Sequence, residues 1–250
     1  MVLINGHELN VEIHGPEKGT PVVLLHHGLG SVQAWRSQIN ALEGAGYRVV
    51  AYDRWGYGAS EPRPQPIEST FKVDVQDLHA VLHWLGSPKV TLVGHSDGGT
   101  IALYYAMQHP EAVAGLVTVA AHIYVEGKMG PGIEGVRWAF ENDRRFQEGL
   151  RRVHGEKYRQ VFFNWYNGWM REENLYWNIQ PLLSQVSCPT LVVQGTEDEH
   201  ATPQHAIDIA RAIQGAELWL LESAGHMLPQ ERADVFTPKL LDFLDSRLKA

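Results

Sequence analysis

The sequence predicts an α/β fold: a doubly wound, mostly parallel sheet with a helical cap inserted into it. Three observations support this prediction. Short apolar runs alternate with stretches of helical periodicity along most of the chain. The apolar runs lack polar alternation, which is typical of parallel strands that are covered on both faces. One long segment interrupts this alternation with helical, aromatic-rich sequence and no convincing buried strand.

The elements can be assigned in chain order. Two antiparallel strands are predicted at the start, at residues 2–4 and 9–14, across a turn at Asn5-Gly6. The apolar runs that we interpret as core strands are residues 22–26, 49–52, 90–94, 116–119, 191–194 and 218–221. Helical spacing predicts helices at residues 35–42, 73–85, 100–109 and 235–248. Pro110 ends the third of these helices because proline cannot continue a helical hydrogen-bond ladder.

Length, charge and cysteine content are consistent with this fold. A chain of 250 residues suits one α/β domain with a sizeable insertion. The formal net charge of −8 argues against nucleic acid or an anionic membrane as the main partner. No apolar run approaches the roughly 18 residues of a membrane-spanning helix, and no secretory signal is visible at the start. Cys188 is the single cysteine, so no intrachain disulfide can form, and we expect a cytoplasmic protein.

Residues 122–183 form the interrupting segment, and residues 1–121 and 184–250 form the predicted core. The segment contains four of the eight tryptophans. Aromatic rings bury a large area per residue, so a helical insertion needs them for its own small core. The same rings also suit the wall of an apolar pocket. The residues that we expect to line such a pocket are Gly28, Trp55, Tyr124, Trp138, Trp165 and Trp169.

The most informative motif is Gly94-His95-Ser96-Asp97-Gly98. It lies directly between a predicted buried strand and a predicted helix, which is the context of a nucleophile elbow. The serine must adopt a strained backbone conformation there, and the flanking glycines allow neighbouring backbone to pack closely. Ser96 is then expected to stand over the carboxyl ends of the strands, in front of a helix N-terminus that favours negative charge. His95 is expected to point away from the serine.

A serine nucleophile needs a base, and the base needs an acid that orients it. His226 follows the last apolar run in a loop, and Asp198 lies in the loop after the preceding run. The order serine, acid, histidine, each after a strand, brings all three to one edge of a parallel sheet. Glu197 and Glu199 flank Asp198. Each of the three carboxylates is also consistent with an exposed, solvated charge on the surface. His200 is a further histidine that could turn toward the site.

The oxyanion of a tetrahedral intermediate needs two backbone N–H donors. One is expected from Asp97, at the start of the helix after the serine. The other is expected from Leu29, because the glycine-rich turn 26–30 lets backbone approach a substrate, although such glycines also suit a simple tight turn. His26 and His27 in this turn lack companions at metal-ligand spacing, so no metal is expected. No nucleotide-binding fingerprint follows a strand, so no cofactor is expected.

Together these motifs resemble the α/β-hydrolase superfamily over nearly the whole chain. The matching segments are His27-Gly28-Leu29-Gly30, Asp53-Arg54-Trp55-Gly56-Tyr57-Gly58-Ala59-Ser60, Gly94-His95-Ser96-Asp97-Gly98-Gly99, Gly195-Thr196-Glu197-Asp198 and Gly225-His226. The resemblance implies a catalytic triad of Ser96, Asp198 and His226. It also implies an oxyanion hole of Leu29 and Asp97, and a cap where the aromatic segment lies. The elbow is similar to those of small bacterial esterases and of the valacyclovir-hydrolase type, and no substrate is inferred from that similarity.

Our hypothesis is a serine hydrolase that cleaves carboxylic esters of small to medium, largely apolar substrates through an acyl-enzyme. Haloalkane dehalogenases and epoxide hydrolases of the superfamily use an aspartate nucleophile, whereas Ser96 occupies that position here. C–C bond hydrolases of ring-cleavage products and enol-lactonases share the serine triad and stay open as alternatives. Their substrates are carboxylates, so a cap arginine should face the pocket. A ligand-binding receptor with vestigial hydrolysis is a further alternative. In each case the expected partner is a small molecule.

Overall fold

A seven-stranded sheet organises the computed structural model, which describes residues 1–248. The strands are β1 (Val2–Ile4), β2 (His7–Leu9), β3 (Val11–His14), β4 (Pro21–Leu25), β5 (Arg48–Tyr52), β6 (Val90–His95), β7 (Val113–Val119), β8 (Thr190–Gly195) and β9 (Glu217–Leu221). In the large sheet the strand order is β3-β5-β4-β6-β7-β8-β9. Each neighbouring pair is parallel except β3 with β5, which is antiparallel. The mostly parallel sheet predicted from the apolar runs is therefore confirmed.

Helices cover both faces of this sheet, and three further helices, the fourth to sixth of the described residues, belong to the inserted segment. They are α1 (Arg36–Gly44), α2 (Lys72–Trp84), α3 (Asp97–Gln108), α4 (Met129–Asn142), α5 (Arg144–His154), α6 (Tyr158–Trp169), α7 (Gln204–Ala212), α8 (Leu228–Glu231) and α9 (Ala233–Leu248). Short 3₁₀ turns occupy Val32–Trp35, Pro110–Ala112, Gly155–Lys157, Glu172–Tyr176 and Gln180–Gln185. None of the helices within residues 1–248 is long and apolar enough to cross a membrane.

The sheet has a separate apolar core on each face, because successive side chains of a strand point in opposite directions. In β4, Val22 and Leu24 pack with α1 and α9 on one face. Val23 and Leu25 pack with α2, α3 and α7 on the other face. Both sets are fully buried, which explains why β4 has no polar alternation.

Two details of the predicted element order were wrong. The predicted strand 9–14 is two strands, because Asn10 interrupts it: its side chain donates to Asp53 and its backbone N–H donates to Ser60 Oγ. β2 therefore pairs with β1 while β3 pairs with β5. Helix α7 was not predicted, since only a few apolar side chains, such as Ile209, mark its buried side.

The aromatic segment folds as α4, α5 and α6, placed over the loops that follow β4, β5 and β6. Its two ends meet at a β-bridge between Tyr124 and Asn178, near the predicted boundaries at 122 and 183. Phe140 and Phe162 stack inside it with ring centroids 3.8 Å apart, and their cluster continues into the apolar core on one face of the sheet. Residues 249 and 250 of the predicted core lie outside the described residues.

Candidate active site

The elbow between β6 and α3 holds Ser96 in a backbone conformation that side chains rarely adopt, with φ of 55° and ψ of −120°. Gly94 and Gly98, on either side of the serine, allow this sharp turn because neighbouring backbone packs closely against them. A Cβ atom on Gly94 would lie 2.6 Å from the backbone nitrogen of Gly99, and one on Gly98 would lie 2.7 Å from the carbonyl oxygen of His26. The local backbone therefore requires glycine at both positions.

Ser96, His226 and Asp198 form a continuous hydrogen-bonded chain. His226 Nε2 lies 3.0 Å from Ser96 Oγ, and His226 Nδ1 lies 2.8 Å from Asp198 Oδ2. An ionised carboxylate can only accept, so Nδ1 carries the hydrogen and donates it to Asp198. Nε2 is then left as an acceptor for the serine hydroxyl. This arrangement can move a proton from the serine to the imidazole.

Asp198 is buried but is held in its ionised form. Burial by itself raises the pKa of Asp198, whereas the hydrogen bond and charge of His226 lower it, and the net pKa is well below the usual value. The backbone N–H groups of His200 and Ala201 donate to Oδ1, and the Gln194 amide donates to Oδ2. The carboxylate is thus fixed in the direction that orients the imidazole.

The backbone of His226 is anchored by residues to which the sequence pattern gave no specific role. His95 Nε2 donates to the carbonyl oxygen of His226 at 2.9 Å, and the carboxylate of Glu199 accepts from the His226 N–H at 3.0 Å. His95 points away from the serine as expected, and burial lowers its pKa to about 3. The His200 ring lies edge-on to the His226 ring, with centroids 4.7 Å apart.

The two amides predicted to bind an oxyanion are those of Leu29, in the turn after β4, and Asp97, the first residue of α3. The backbone N–H groups of Leu29 and Asp97 have no protein acceptor within residues 1–248. The turn that carries Leu29 is held from two directions. His26 Nδ1 donates to the carbonyl oxygen of His27 at 2.8 Å, and His154 of the cap donates to the carbonyl oxygen of Leu29 at 3.0 Å. Both amides are therefore available to a bound group.

A buried arginine joins this turn to the elbow. Arg54 is 1% exposed and pairs with Asp74 at 3.1 Å. Its Nη2 donates to the carbonyl oxygen of His27 at 3.3 Å and to Asp97 Oδ2 at 3.4 Å. The other oxygen of Asp97 accepts from Trp169 Nε1 of the cap at 3.2 Å. Burial raises the pKa of Asp97, and the charge of Arg54 opposes that rise.

A cavity of about 360 Å³ opens beside Ser96, between the core and the cap. The predicted pocket residues Gly28, Trp165 and Trp169 line it. The other apolar residues of its wall are Leu29, Met129, Ile133, Val136, Phe146, Leu150 and Met227. The polar lining consists of His27, Ser96, Asp97, His122, Glu199, His200 and His226. The arrangement is an apolar chamber with its polar groups around the serine.

Three predicted pocket residues lie elsewhere. Trp55 stacks on His7, with ring centroids 4.1 Å apart. The chain turns at Gly56, and the side chain that reaches the site is that of the preceding residue, Arg54. Tyr124 donates to Asp208 beside α7.

Trp138 is 66% exposed on the outer side of α4. At about 100° per residue it lies opposite Val136, which faces the cavity. The prediction placed Trp138 on the pocket wall together with Trp165 and Trp169, whereas helical phase turns Trp138 outward.

Within residues 1–248, no group of three or more His, Cys, Asp or Glu side chains is arranged to hold a metal ion. His26 is fully buried, and burial lowers the pKa of both His26 and His27 well below the usual value. The neighbouring Arg54 N–H donates to His26 Nε2 at 3.0 Å. Through these bonds His26 helps to hold the glycine-rich turn.

Residues 20–161 match the family described as alpha/beta hydrolase fold, and the chain belongs to this family. It is a hydrolase, and the resemblance and fold predicted from the motifs are confirmed. One relative is the human protein named serine hydrolase BPHL, which is 32% identical over 248 residues, covering 97% of this chain and 85% of that protein.

Solved structures share the fold. The enol-lactonase from Burkholderia xenovorans LB400 matches with a TM-score of 0.80 at 23% identity, covering 97% of this chain and 98% of that one. A thermophilic esterase from Thermogutta terrifontis matches with a TM-score of 0.78 at 23% identity, covering 98% and 97%. At this level of identity the likeness shows the fold alone.

Removing the buried arginine should destabilise the protein strongly. Arg54→Ala leaves two buried carboxylates with less compensating charge, and we expect a loss of about 3–5 kcal/mol in the free energy of unfolding. The measurement is urea denaturation followed by tryptophan fluorescence. The control is Arg144→Ala, which removes a surface pair with Glu148 and should cost less than about 0.5 kcal/mol. Equal stability of the two variants would contradict the role given to Arg54.

The protein should also lose stability steeply as the pH falls below neutrality. Burial lowers the pKa of His95 to about 3 and that of His154 to about 4. Well below pH 6.5 each such histidine is protonated in the unfolded chain but stays neutral in the folded chain. Each one therefore lowers the free energy of unfolding by about 1.4 kcal/mol per pH unit until its folded pKa is reached.

Urea denaturation at pH 7.5, 6.5 and 5.5 measures this slope. His154→Gln should reduce the stability lost between pH 7.5 and 5.5 by about 1.4 kcal/mol. His83→Gln on the exposed side of α2 should leave the slope as it is in the wild type. A wild-type stability that stays constant between pH 7.5 and 5.5 would show that these histidines are not held neutral.

Proposed function

We propose that this hydrolase cleaves carboxylic esters of small to medium, largely apolar substrates through an acyl-enzyme. The observation that carries the proposal is the hydrogen-bonded chain from Ser96 through His226 to Asp198, which ends at an apolar cavity. The hydroxyl needs a base within hydrogen-bond reach, and the base needs a fixed acid behind it. Both requirements are met by the distances in the site.

In the first half of the proposed reaction, Ser96 Oγ attacks the ester carbonyl while His226 Nε2 takes its proton. The oxyanion that forms is bound by the backbone N–H groups of Leu29 and Asp97. Asp198 stabilises the imidazolium without taking a proton itself, consistent with its lowered pKa. The imidazolium then gives its proton to the leaving alcohol, and the acyl group stays on the serine.

In the second half, water attacks the acyl-enzyme while the same imidazole acts as base. Collapse of the second tetrahedral intermediate returns the proton to Ser96 Oγ and releases the carboxylic acid. Glu199 and His95 support this cycle by holding the backbone of His226 while its ring gains and loses charge.

The composition of the cavity wall favours simple esters over the carboxylate substrates of C–C bond hydrolases and enol-lactonases. No lysine or arginine is among the described residues that line it. Three of the cap arginines pair with carboxylates on the surface: Arg137 with Glu141, Arg144 with Glu148, and Arg151 with Glu156. A carboxylate placed in this chamber would lose its hydration without gaining a cation.

The volume of the cavity sets the expected size of the acyl group. At 360 Å³ it lies near the lower end of the range of about 300–1,000 Å³ that is typical of ligand sites. We therefore expect kcat/KM for p-nitrophenyl esters to rise from acetate to butyrate, because a longer chain buries more apolar surface. It should fall again at octanoate, whose chain overfills the chamber.

Replacing the serine tests the proposed reaction. Ser96→Ala should lower kcat for p-nitrophenyl butyrate by at least about a thousandfold, because the variant cannot form an acyl-enzyme. Circular dichroism establishes that the variant is folded. Ser184→Ala, at an exposed position outside the cavity lining, is the matched control and should have wild-type activity. A folded Ser96→Ala protein with near-full esterase activity would contradict the proposal.

A further inference from the structure

His122 is a histidine on the cavity wall to which the proposed reaction gives no task. It follows β7, is 6% exposed, and its ring centroid lies 5.9 Å from that of His226 and 6.0 Å from that of Trp169. Its backbone is fixed without help from the side chain. The backbone N–H donates to Thr100 Oγ1 at 3.2 Å, and the Thr100 hydroxyl donates to the His122 carbonyl oxygen at 2.8 Å.

The imidazole of His122 has no hydrogen-bond partner among the residues that the structure describes. Nδ1 is fully enclosed without one. Nε2 has no partner among residues 1–248 either. Unlike Nδ1 it is not fully enclosed, and because His122 lines the cavity, we infer that Nε2 faces it. Buried polar atoms are almost always paired in folded proteins. The hydrogen-bond partner left for this imidazole is a neutral acceptor or donor group on a bound molecule.

The tautomer follows from the same surroundings. Burial, together with His205 and His226, lowers the pKa of His122 well below the usual value, so the ring is neutral and carries one hydrogen. An enclosed N–H without an acceptor is rarer in proteins than an under-satisfied acceptor. The hydrogen is therefore assigned to Nε2, and the ring presents an N–H donor to the cavity.

The chemistry of the chamber limits what this donor can bind. The walls are apolar, and no described lining residue is a lysine or arginine, so an anionic group would be desolvated without compensation. Asp97 and Glu199, which are also on the wall, further disfavour an anion. A neutral oxygen acceptor, such as an ether, keto or hydroxyl oxygen, satisfies the donor without that cost.

We propose that His122 recognises a neutral oxygen acceptor on the ester substrate, so that the protein prefers an oxygen-bearing ester to the alkyl ester of the same shape. This inference rests on the proposed ester hydrolysis and deepens it. A site that provides a buried hydrogen-bonding group discriminates against the analogue that lacks the matching group, because the protein group is then left unpaired. His122 is on this account a specificity-determining residue.

Isosteric substrate pairs test the proposal. p-Nitrophenyl methoxyacetate and butyrate differ only by an oxygen for a methylene in the acyl group, and 3-methoxypropanoate and pentanoate form a second such pair. 2-Methoxyethyl butyrate and butyl butyrate, followed by pH-stat, place the oxygen in the alcohol. The readout is the ratio of kcat/KM within each pair, compared between wild type and His122→Phe, so that differences in intrinsic reactivity cancel.

The ratio should fall about tenfold in His122→Phe for at least one pair, the size expected for one lost hydrogen bond. His122→Gln should largely restore it, because the glutamine amide can place an N–H near the position of Nε2. The pair that responds tells whether the oxygen belongs to the acyl or the alcohol half. Ratios that change less than twofold in every pair would overturn the proposal.

A binding experiment separates this proposal from the proposed reaction. Methoxyacetone and 2-pentanone are an isosteric pair of ketones, and NMR titration gives their dissociation constants with Ser96→Ala and with Ser96→Ala/His122→Phe. A preference for methoxyacetone that is lost with His122 supports the proposal even where no ester is hydrolysed. Ester hydrolysis that depends on Ser96, without any oxygen-dependent difference in either experiment, supports the reaction and refutes the role of His122.

Discussion

The buried ion pair between Arg54 and Asp97 is the interaction on which the geometry of the site depends. Arg54 contacts the carbonyl of His27 in the turn after β4 and the carboxylate of Asp97 in the elbow after β6. The two backbone amides predicted to bind an oxyanion, those of Leu29 and Asp97, belong to these two segments. Trp169 of the cap donates to the same carboxylate, so the position of the cap is coupled to the elbow. A buried charge of this kind is costly unless it is fully paired, and each partner is therefore constrained.

The second constraint is the burial of neutral imidazole. His95 supports the backbone of His226, His26 and His154 hold the glycine-rich turn, and His122 lines the chamber. Burial lowers the pKa of each of these four supporting rings, so that each has one donor and one acceptor in fixed positions. Neutral histidines can orient hydrogen bonds close to the serine without adding charge to it, which suits an apolar chamber.

The sequence contained enough information to predict the parallel sheet and the residues that meet at its edge. Buried strands leave continuous apolar runs, and the elbow needs glycine at fixed positions around Ser96, so both are visible in one chain. The pocket wall was predicted only in part. Trp138 and Trp165 look alike in sequence, yet helical phase exposes the first and turns the second to the cavity. The unpartnered ring of His122 has no sequence pattern, since it follows from what the tertiary structure leaves unpaired.

The central claim is that Ser96 becomes covalently acylated. Its most direct test is intact-protein mass spectrometry after reaction with a fluorophosphonate, followed by peptide mapping. We expect one adduct per chain, located on the peptide that contains Ser96, and none in Ser96→Ala. Labelling at another residue, or a folded wild-type protein that forms no adduct at neutral pH, would contradict the claim.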